Sequence, residues 1–235
     1  MVARPANCKP ALGHDWLLPL YDPLHRWLLR ESTLKSLLLR QAAIAPGQRL
    51  LDLACGTGTL ALMLQQHQPR SQVHGLDGDP LALRRAQAKG GRRGSTPLHL
   101  QLGLSYALPY PDRSFDHVFS SFAFHHLSRP DKRRTLAQIR RVLKPGGAFH
   151  LLDLGPPTTA LGLYLSRLLH PDRASRDNLQ GLLSSFMADA GLAQVRPIRR
   201  RFTAIGWVAY YQGCIAVARH SAQPLPPGAS ILSRS

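Results

Sequence analysis

The sequence predicts an α/β domain built on a mostly parallel sheet, and three observations predict it. Apolar runs of strand length recur through the middle of the chain, and most are followed by a stretch with helical spacing. The run Leu50-Leu51-Asp52-Leu53 stops at Ala54-Cys55-Gly56-Thr57-Gly58-Thr59 and restarts as Leu60-Ala61-Leu62-Met63-Leu64, the pattern of a buried strand turning tightly into a helix. The length of 235 residues fits one such domain with a full core.

That turn reads as a ligand site. Glycine is needed where backbone passes close to a bound molecule or adopts positive φ, and the helix N-terminus behind it offers unpaired N–H donors to a negative group. As a bare pattern, Gly56-Thr57-Gly58-Thr59-Leu60-Ala61 also satisfies the loose dinucleotide fingerprint, which leaves an NAD enzyme open. Asp52 narrows the reading, because a carboxylate just before the turn suits a ligand with an amino group better than a pyrophosphate. S-adenosylmethionine carries an ammonium there, a carboxylate for the loop N–H groups and a ribose that needs a second acid one strand further on. Asp77 supplies that acid.

Three later stretches follow in order: Val73-His74-Gly75-Leu76-Asp77, Leu108-Pro109-Tyr110-Pro111-Asp112-Arg113-Ser114-Phe115-Asp116 and Arg141-Val142-Leu143-Lys144-Pro145-Gly146-Gly147. Together with the first motif they make residues 49–154 resemble the class I S-adenosylmethionine-dependent methyltransferases. The N-terminal region resembles the ubiquinone/menaquinone C-methyltransferase group (type 11/25) within that family. The resemblance implies a Rossmann-like, seven-stranded, mostly parallel sheet with helices on both faces and N-terminal helices capping the cofactor. It also implies S-adenosyl-L-methionine as cofactor, S-adenosyl-L-homocysteine as product and a small-molecule methyl acceptor.

Composition sets bounds. The formal charge is +17, carried mostly by arginine, since the only lysines are Lys9, Lys35, Lys89, Lys132 and Lys144. A basic surface concentrates anionic partners such as small acids, nucleic acid or an anionic membrane face, although the basic residues are scattered and each cluster also reads as a solvated face. Cys8, Cys55 and Cys214 form no metal spacing and no disulfide framework, which points to reduced thiols and a cytoplasmic setting. Residues 1–10 lack the apolar core of a secretory signal, and no apolar run approaches the ~20 residues that span a bilayer. Nothing in the residues implies a metal, and the expected assembly is a monomer or homodimer.

In chain order, residues 1–13 read as disordered and 14–220 as one methyltransferase domain: a helical cap (14–48), a cofactor-binding half (49–154) and a substrate-side half (155–220). The cap pattern Trp16, Leu17, Leu20, Leu24, Trp27, Leu28, then Leu34, Leu37, Leu38, is two amphipathic helices broken near Pro19 to Pro23. The family resemblance places Tyr21 over the reaction centre, and an ordinary tyrosine at the core edge reads equally well. The second strand, 72–76, ends at Asp77-Gly78, where the carboxylate accepts from ribose hydroxyls; Asp79 before Pro80 reads as the cap of a helix over 81–89. Residues 90–97 form a loop and 98–102 a third strand. Most relatives place an acid shortly after it for the adenine amino group; here stand Leu104 and Ser105, so adenine recognition falls to backbone, Ser105 and apolar contact.

The fourth strand, 115–119, opens into Ser120-Ser121-Phe122-Ala123-Phe124-His125-His126, which borders cofactor and substrate because ligands in open parallel sheets sit beyond the strands' carboxyl ends. Ser120 and Ser121 are assigned to the cofactor, Phe122 and Phe124 to the substrate wall, and His125 or His126 to proton transfer; packing at the sheet edge is the competing role for either histidine. A helix over 132–143 stops at Lys144-Pro145-Gly146-Gly147 before a fifth strand, 148–154. Beyond it come helices over 161–169 and 179–190 and strands over 194–202 and 207–217, with His170 and Arg173 as candidate substrate contacts; the tail 221–235 reads as disordered.

Function reads as in-line methyl transfer, in which the protein holds nucleophile and methyl group together and excludes water. The first alternative acceptor is a quinone precursor or other lipid met at an anionic membrane surface. An RNA methyltransferase is the next, against which stand the absence of an RNA-binding module and of an aromatic ladder among the arginines. A non-catalytic cofactor sensor is the third.

Overall fold

The computed structural model describes residues 31–91 and 98–217; Tyr21, the cap up to residue 30, the 92–97 loop and the tail lie outside them. In chain order the elements are Glu31–Arg40 (α1), Arg49–Leu53 (β1), Thr59–His67 (α2), Gln72–Asp77 (β2), Pro80–Gly91 (α3), His99–Leu102 (β3) and Phe115–Ser121 (β4). There follow Arg129–Val142 (α4), Leu143–Leu154 (β5), Ala160–Leu169 (α5), Arg176–Leu179 (α6), Leu183–Asp189 (α7), Ala193–Thr203 (β6) and Gly206–Cys214 (β7).

The strands form one seven-stranded sheet in the order β3-β2-β1-β4-β5-β7-β6. All neighbours are parallel except β7, which runs antiparallel to both β5 and β6. The central strands are mostly apolar on both faces because both faces are covered. Leu50 of β1, Val73, Phe119, Leu152 and Tyr210 pack against α1 and α2. Leu51 and Leu53, with Val118, Phe149 and Leu151, pack against Leu136 and Ile139 of α4 and Leu183, Phe186 and Met187 from α7. Each fully buried side chain of this size contributes about 1.5–3 kcal/mol, so the two half-cores fix the sheet between its helices.

Local signals set the boundaries. Asp79 caps α3 by accepting from the Leu81 N–H at 2.9 Å, as the sequence predicts. The helix expected over 132–143 starts earlier, at Arg129, because the Ser128 side chain caps it and Pro130 sits in its first turn. The fifth strand begins at Leu143 rather than at residue 148: Leu143 pairs with Phe115, and the Pro145-Gly146-Gly147 stretch shifts register before Ala148 pairs with His117. The helix expected over 179–190 begins only at Leu183 (α7), and a short helix, α6, precedes it where the sequence reads as loop; Gly181, which adopts φ 75°, separates the two.

Candidate active site

Strand order reverses between β1 and β4, and the carboxyl ends of β1 to β4 open there into a cavity of about 260 Å³. Its lining comes from residues 53–57 after β1, 76–79 at the end of β2, 103–106 after β3 and 120–124 with His126 and Leu127 after β4. Glu31 and Lys35 of α1 close one side, and Thr135 of α4 completes the other.

Asp77 is held at two points. Its Oδ2 accepts from the Gly56 N–H at 2.7 Å and its Oδ1 from the Asp79 N–H at 2.9 Å, which leaves a lone pair on each oxygen. Burial raises its pKa, and the backbone donors work against that rise. Ala54 and Gly56 both adopt positive φ, at 56° and 54°. A Cβ built on Gly56 would meet no protein atom within 4 Å, so the turn leaves open space at the cavity wall. Thr57 lines the cavity, and its hydroxyl accepts from the Lys89 ammonium at 2.9 Å.

Asp52 lies beneath the cavity rather than in its lining, fully buried, with no hydrogen-bond partner on either oxygen. Burial pushes its pKa up to about 7, against the pull of the Lys35 charge. Lys35, itself buried, pairs with Glu31 one helical turn away. Both charges of an amino acid would therefore meet an opposite charge at this end of the cavity.

Gly78 after β2 and Leu104 and Ser105 after β3 are in the lining, and the Ser105 and Thr135 hydroxyls are 3.0 Å apart. Past β4, Ser120 donates to the Leu53 carbonyl at 3.1 Å, and Ser121, Phe122 and Phe124 line the cavity beside it. His126 lines the cavity, whereas His125 turns away. The His125 Nδ1–H donates to Asp153 Oδ1 at 2.7 Å, with the two histidine rings 3.9 Å apart. Asp153 is fully buried and also accepts from the Phe124 N–H at 2.8 Å and Asn178 Nδ2 at 2.9 Å. Burial alone would raise its pKa; His125 and the backbone donors outweigh burial and hold it below the usual carboxylate range.

Three expected site residues lie elsewhere. Gly58 is not in the lining; it adopts φ 74° and a Cβ there would sit 2.8 Å from Ala86 Cβ, so its smallness serves the contact between the turn and α3. His170 lies outside the cavity because its Nε2–H donates to the Ile205 carbonyl at 2.8 Å, and Arg173 is exposed on a 3-10 turn. Reading the sequence missed Glu31, Lys35, Thr135, Asp153 and Asn178. Asp153 carried a usable signal, a lone carboxylate inside the apolar run Phe149 to Leu154, the same signal that singled out Asp52.

This sheet order, with a glycine turn after its first strand and an acid closing its second, defines the Rossmann-like class I architecture. A family model described as "Methyltransferase domain" matches residues 50–147. The demethylmenaquinone methyltransferase of Thermus thermophilus is 38% identical over 164 residues, 65% of this chain and 71% of that protein. The 2-phytyl-1,4-naphtoquinone methyltransferase of Synechococcus elongatus is 31% identical over 178 residues, 69% of this chain and 73% of that protein. The crystal structure of a SAM dependent methyltransferase from Aquifex aeolicus superposes with a TM-score of 0.63 at 19% identity, covering 86% of this chain and 97% of that one, a likeness of fold. The chain belongs to the S-adenosylmethionine-dependent methyltransferases, and S-adenosyl-L-methionine is its methyl donor.

Proposed function

We propose that the chain methylates a small, quinone-type acceptor. The observation that carries this reading is a cavity with one polar and one aromatic wall: Asp77 and the Gly56 turn on one side, Phe122, Phe124 and Leu127 on the other. It agrees with the names of the two relatives, both methyltransferases of naphthoquinone-type compounds.

The residues present fit the cofactor. Asp77 has two free lone pairs for the ribose hydroxyls, the open space at Gly56 lets backbone approach the ligand, and buried, unpartnered Asp52 with Glu31 and Lys35 suits the amino-acid end. Leu104 and Ser105 are assigned to the adenine side, and Gly78, Ser120 and Ser121 to shaping the wall. When bound, S-adenosylmethionine supplies an activated methyl group on a sulfonium. Phe122, half-buried at the wall, packs against the acceptor ring and keeps water out, while the Phe124 ring is fully buried in the core behind it. His126 accepts the proton of an acceptor hydroxyl, and Asp153 positions the turn that carries it through His125 and the Phe124 N–H. Among the described residues, 155–217 form the substrate side and α1 belongs to the cap. No helix among the described residues is long and apolar enough to cross a membrane.

Isothermal titration with S-adenosylmethionine, S-adenosylhomocysteine and NAD, on the wild type and on Asp77→Ala, tests the site. Binding of both sulfur compounds, at least ~10-fold weaker in the variant and absent for NAD, is the expected result. Transfer of labelled methyl to a reduced, demethylated naphthoquinone then tests the acceptor. No product from it, alongside intact cofactor binding, would remove the quinone reading and leave the methyltransferase.

A further inference from the structure

The apolar stripe of α5 faces outward. Leu161, Tyr164, Leu165 and Leu168 stand at the i, i+3, i+4, i+7 spacing that normally turns toward a core. Here they are 68%, 67%, 47% and 69% exposed, and of the ten residues of α5 only Ser166 is buried. The opposite, inward side of α5, with Gly162 and buried Ser166, rests on the β6–β7 hairpin. Gly162 approaches the Trp207 indole, Trp207 packs edge-on against Phe202 with ring centroids 5.6 Å apart, and Phe202 is 72% exposed. An exposed apolar stripe of this kind marks an interaction site.

Charge says what meets it. Between α5 and α6 lies a second cleft, of about 340 Å³, lined by Arg167, His170 and Arg176 together with Leu163, Pro171 and Leu179. Neither arginine has an ion-pair partner among the described residues, and no carboxylate is in the lining. The nearest buried acid, Asp177, is turned to Arg129 and Lys132 instead. Asp172, on the loop between the two helices, is exposed and lies outside the lining.

We propose that this face docks the protein on an anionic phospholipid bilayer, with the α5 stripe at the boundary of headgroups and acyl chains and a headgroup phosphate between Arg167 and Arg176. An apolar stripe rimmed by arginine is the arrangement that binds such an interface. A second copy of a +17 chain would bring the same arginines to the same place. Residues 14–30 of the chain itself, in which Asp15 and Asp22 balance Arg26 and Arg30, offer no net negative charge to complement the cleft. The chain enters α5 from the carboxyl end of β5, the edge of the sheet at which the cofactor cavity opens, so docking here holds that edge close to the membrane. The inference stands apart from the identity of the methyl acceptor.

Co-sedimentation of the full chain with phosphatidylcholine vesicles, with and without phosphatidylglycerol, tests it. Binding at least ~10-fold stronger to the anionic vesicles, and weakening as salt rises, is expected. Arg167→Glu/Arg176→Glu and Leu161→Asp/Leu168→Asp should each abolish it while leaving cofactor titration and thermal melting unchanged. Equal binding to both vesicle types, or binding that survives both double variants, overturns the proposal. A solution dimer dissolved by Leu161→Asp/Leu168→Asp would assign the face to a second copy, and a lower melting temperature without loss of vesicle binding would assign it to the chain's own N-terminal segment; either result also overturns it. Methyl transfer to a detergent-solubilised acceptor needs no bilayer, so failure here is distinguishable from failure of the acceptor reading.

Discussion

Ala54 stands at φ 56° where the chain leaves β1, a conformation that costs an L-residue about 1–2 kcal/mol and costs glycine nothing. Glycine at this position would lose more chain entropy on folding, by about 0.4–1 kcal/mol. The strain is the larger of the two, so Ala54→Gly is expected to stabilise the protein by roughly 0.5 kcal/mol, about 1–2 °C in melting temperature. A lower melting temperature would mean that packing of the Ala54 methyl group outweighs the backbone strain. Single residues were legible in the sequence where a motif fixes them by spacing. Gly56, Thr57, Asp77 and Gly78 all reach the cavity, and Gly58 does not, because its absent Cβ is needed by Ala86 rather than by a ligand. A lone carboxylate in an apolar run marked Asp153, but its role was not legible, since its partners Phe124, His125 and Asn178 lie 25–29 positions away and meet it only through the fold.

Among the elements, the 3-10 turn Phe124–His126 depends on that one acid. Replacing Asp153 by asparagine keeps the shape, removes the charge, and sets an amide NH₂ against backbone N–H groups that already need an acceptor. The buried donors left short are each worth about 1–3 kcal/mol, and loss of the carboxylate acceptor of the His125 ring adds to them. Asp153→Asn should therefore lower unfolding free energy in urea by about 2–4 kcal/mol and weaken cofactor binding, because the turn carries part of the cavity wall. Undiminished stability would show that the acid does not hold the turn. The strands up to residue 121 were legible because alternating apolar runs and turn residues mark them without knowledge of their neighbours. The stretch from α5 to α7 was less so. Periodicity tells which residues of α5 share a face, and only the fold tells that nothing in the described chain covers that face.

At the scale of the whole molecule, the +17 formal charge treats every histidine as neutral, and for three of them burial enforces it. Burial pushes His150 down to about 3 and His74 to about 4, and it lowers His117, whose Nδ1 is 3.0 Å from His150 Nε2. In the unfolded chain each takes up a proton near pH 6.5. As pH falls from about 6.5 toward 5 the unfolded state gains protons at His150 and His74 that the fold does not take up, so stability drops by about 1.4 kcal/mol per pH unit for each of the two, and His117 acts in the same direction. Asp52 works in the opposite sense. Its pKa is about 7 in the fold against 3.8 as the ordinary value, so across this window the fold holds one proton that the unfolded chain lacks, and Asp77, also raised by burial, acts the same way. Groups of the two kinds oppose one another in the wild type, and the single variants expose the components. His74→Leu removes a group of the first kind and should make stability decline less with acid between about pH 6 and 5, by up to about 1.4 kcal/mol per pH unit. Asp52→Asn removes one of the second kind and should make the decline steeper by a similar amount. Urea titrations across that window measure both slopes. Variants that run parallel to the wild type would mean that these side chains meet water in the folded protein, whereas opposite changes of slope would show that the acid response of this highly basic protein is set by a few groups shut inside it.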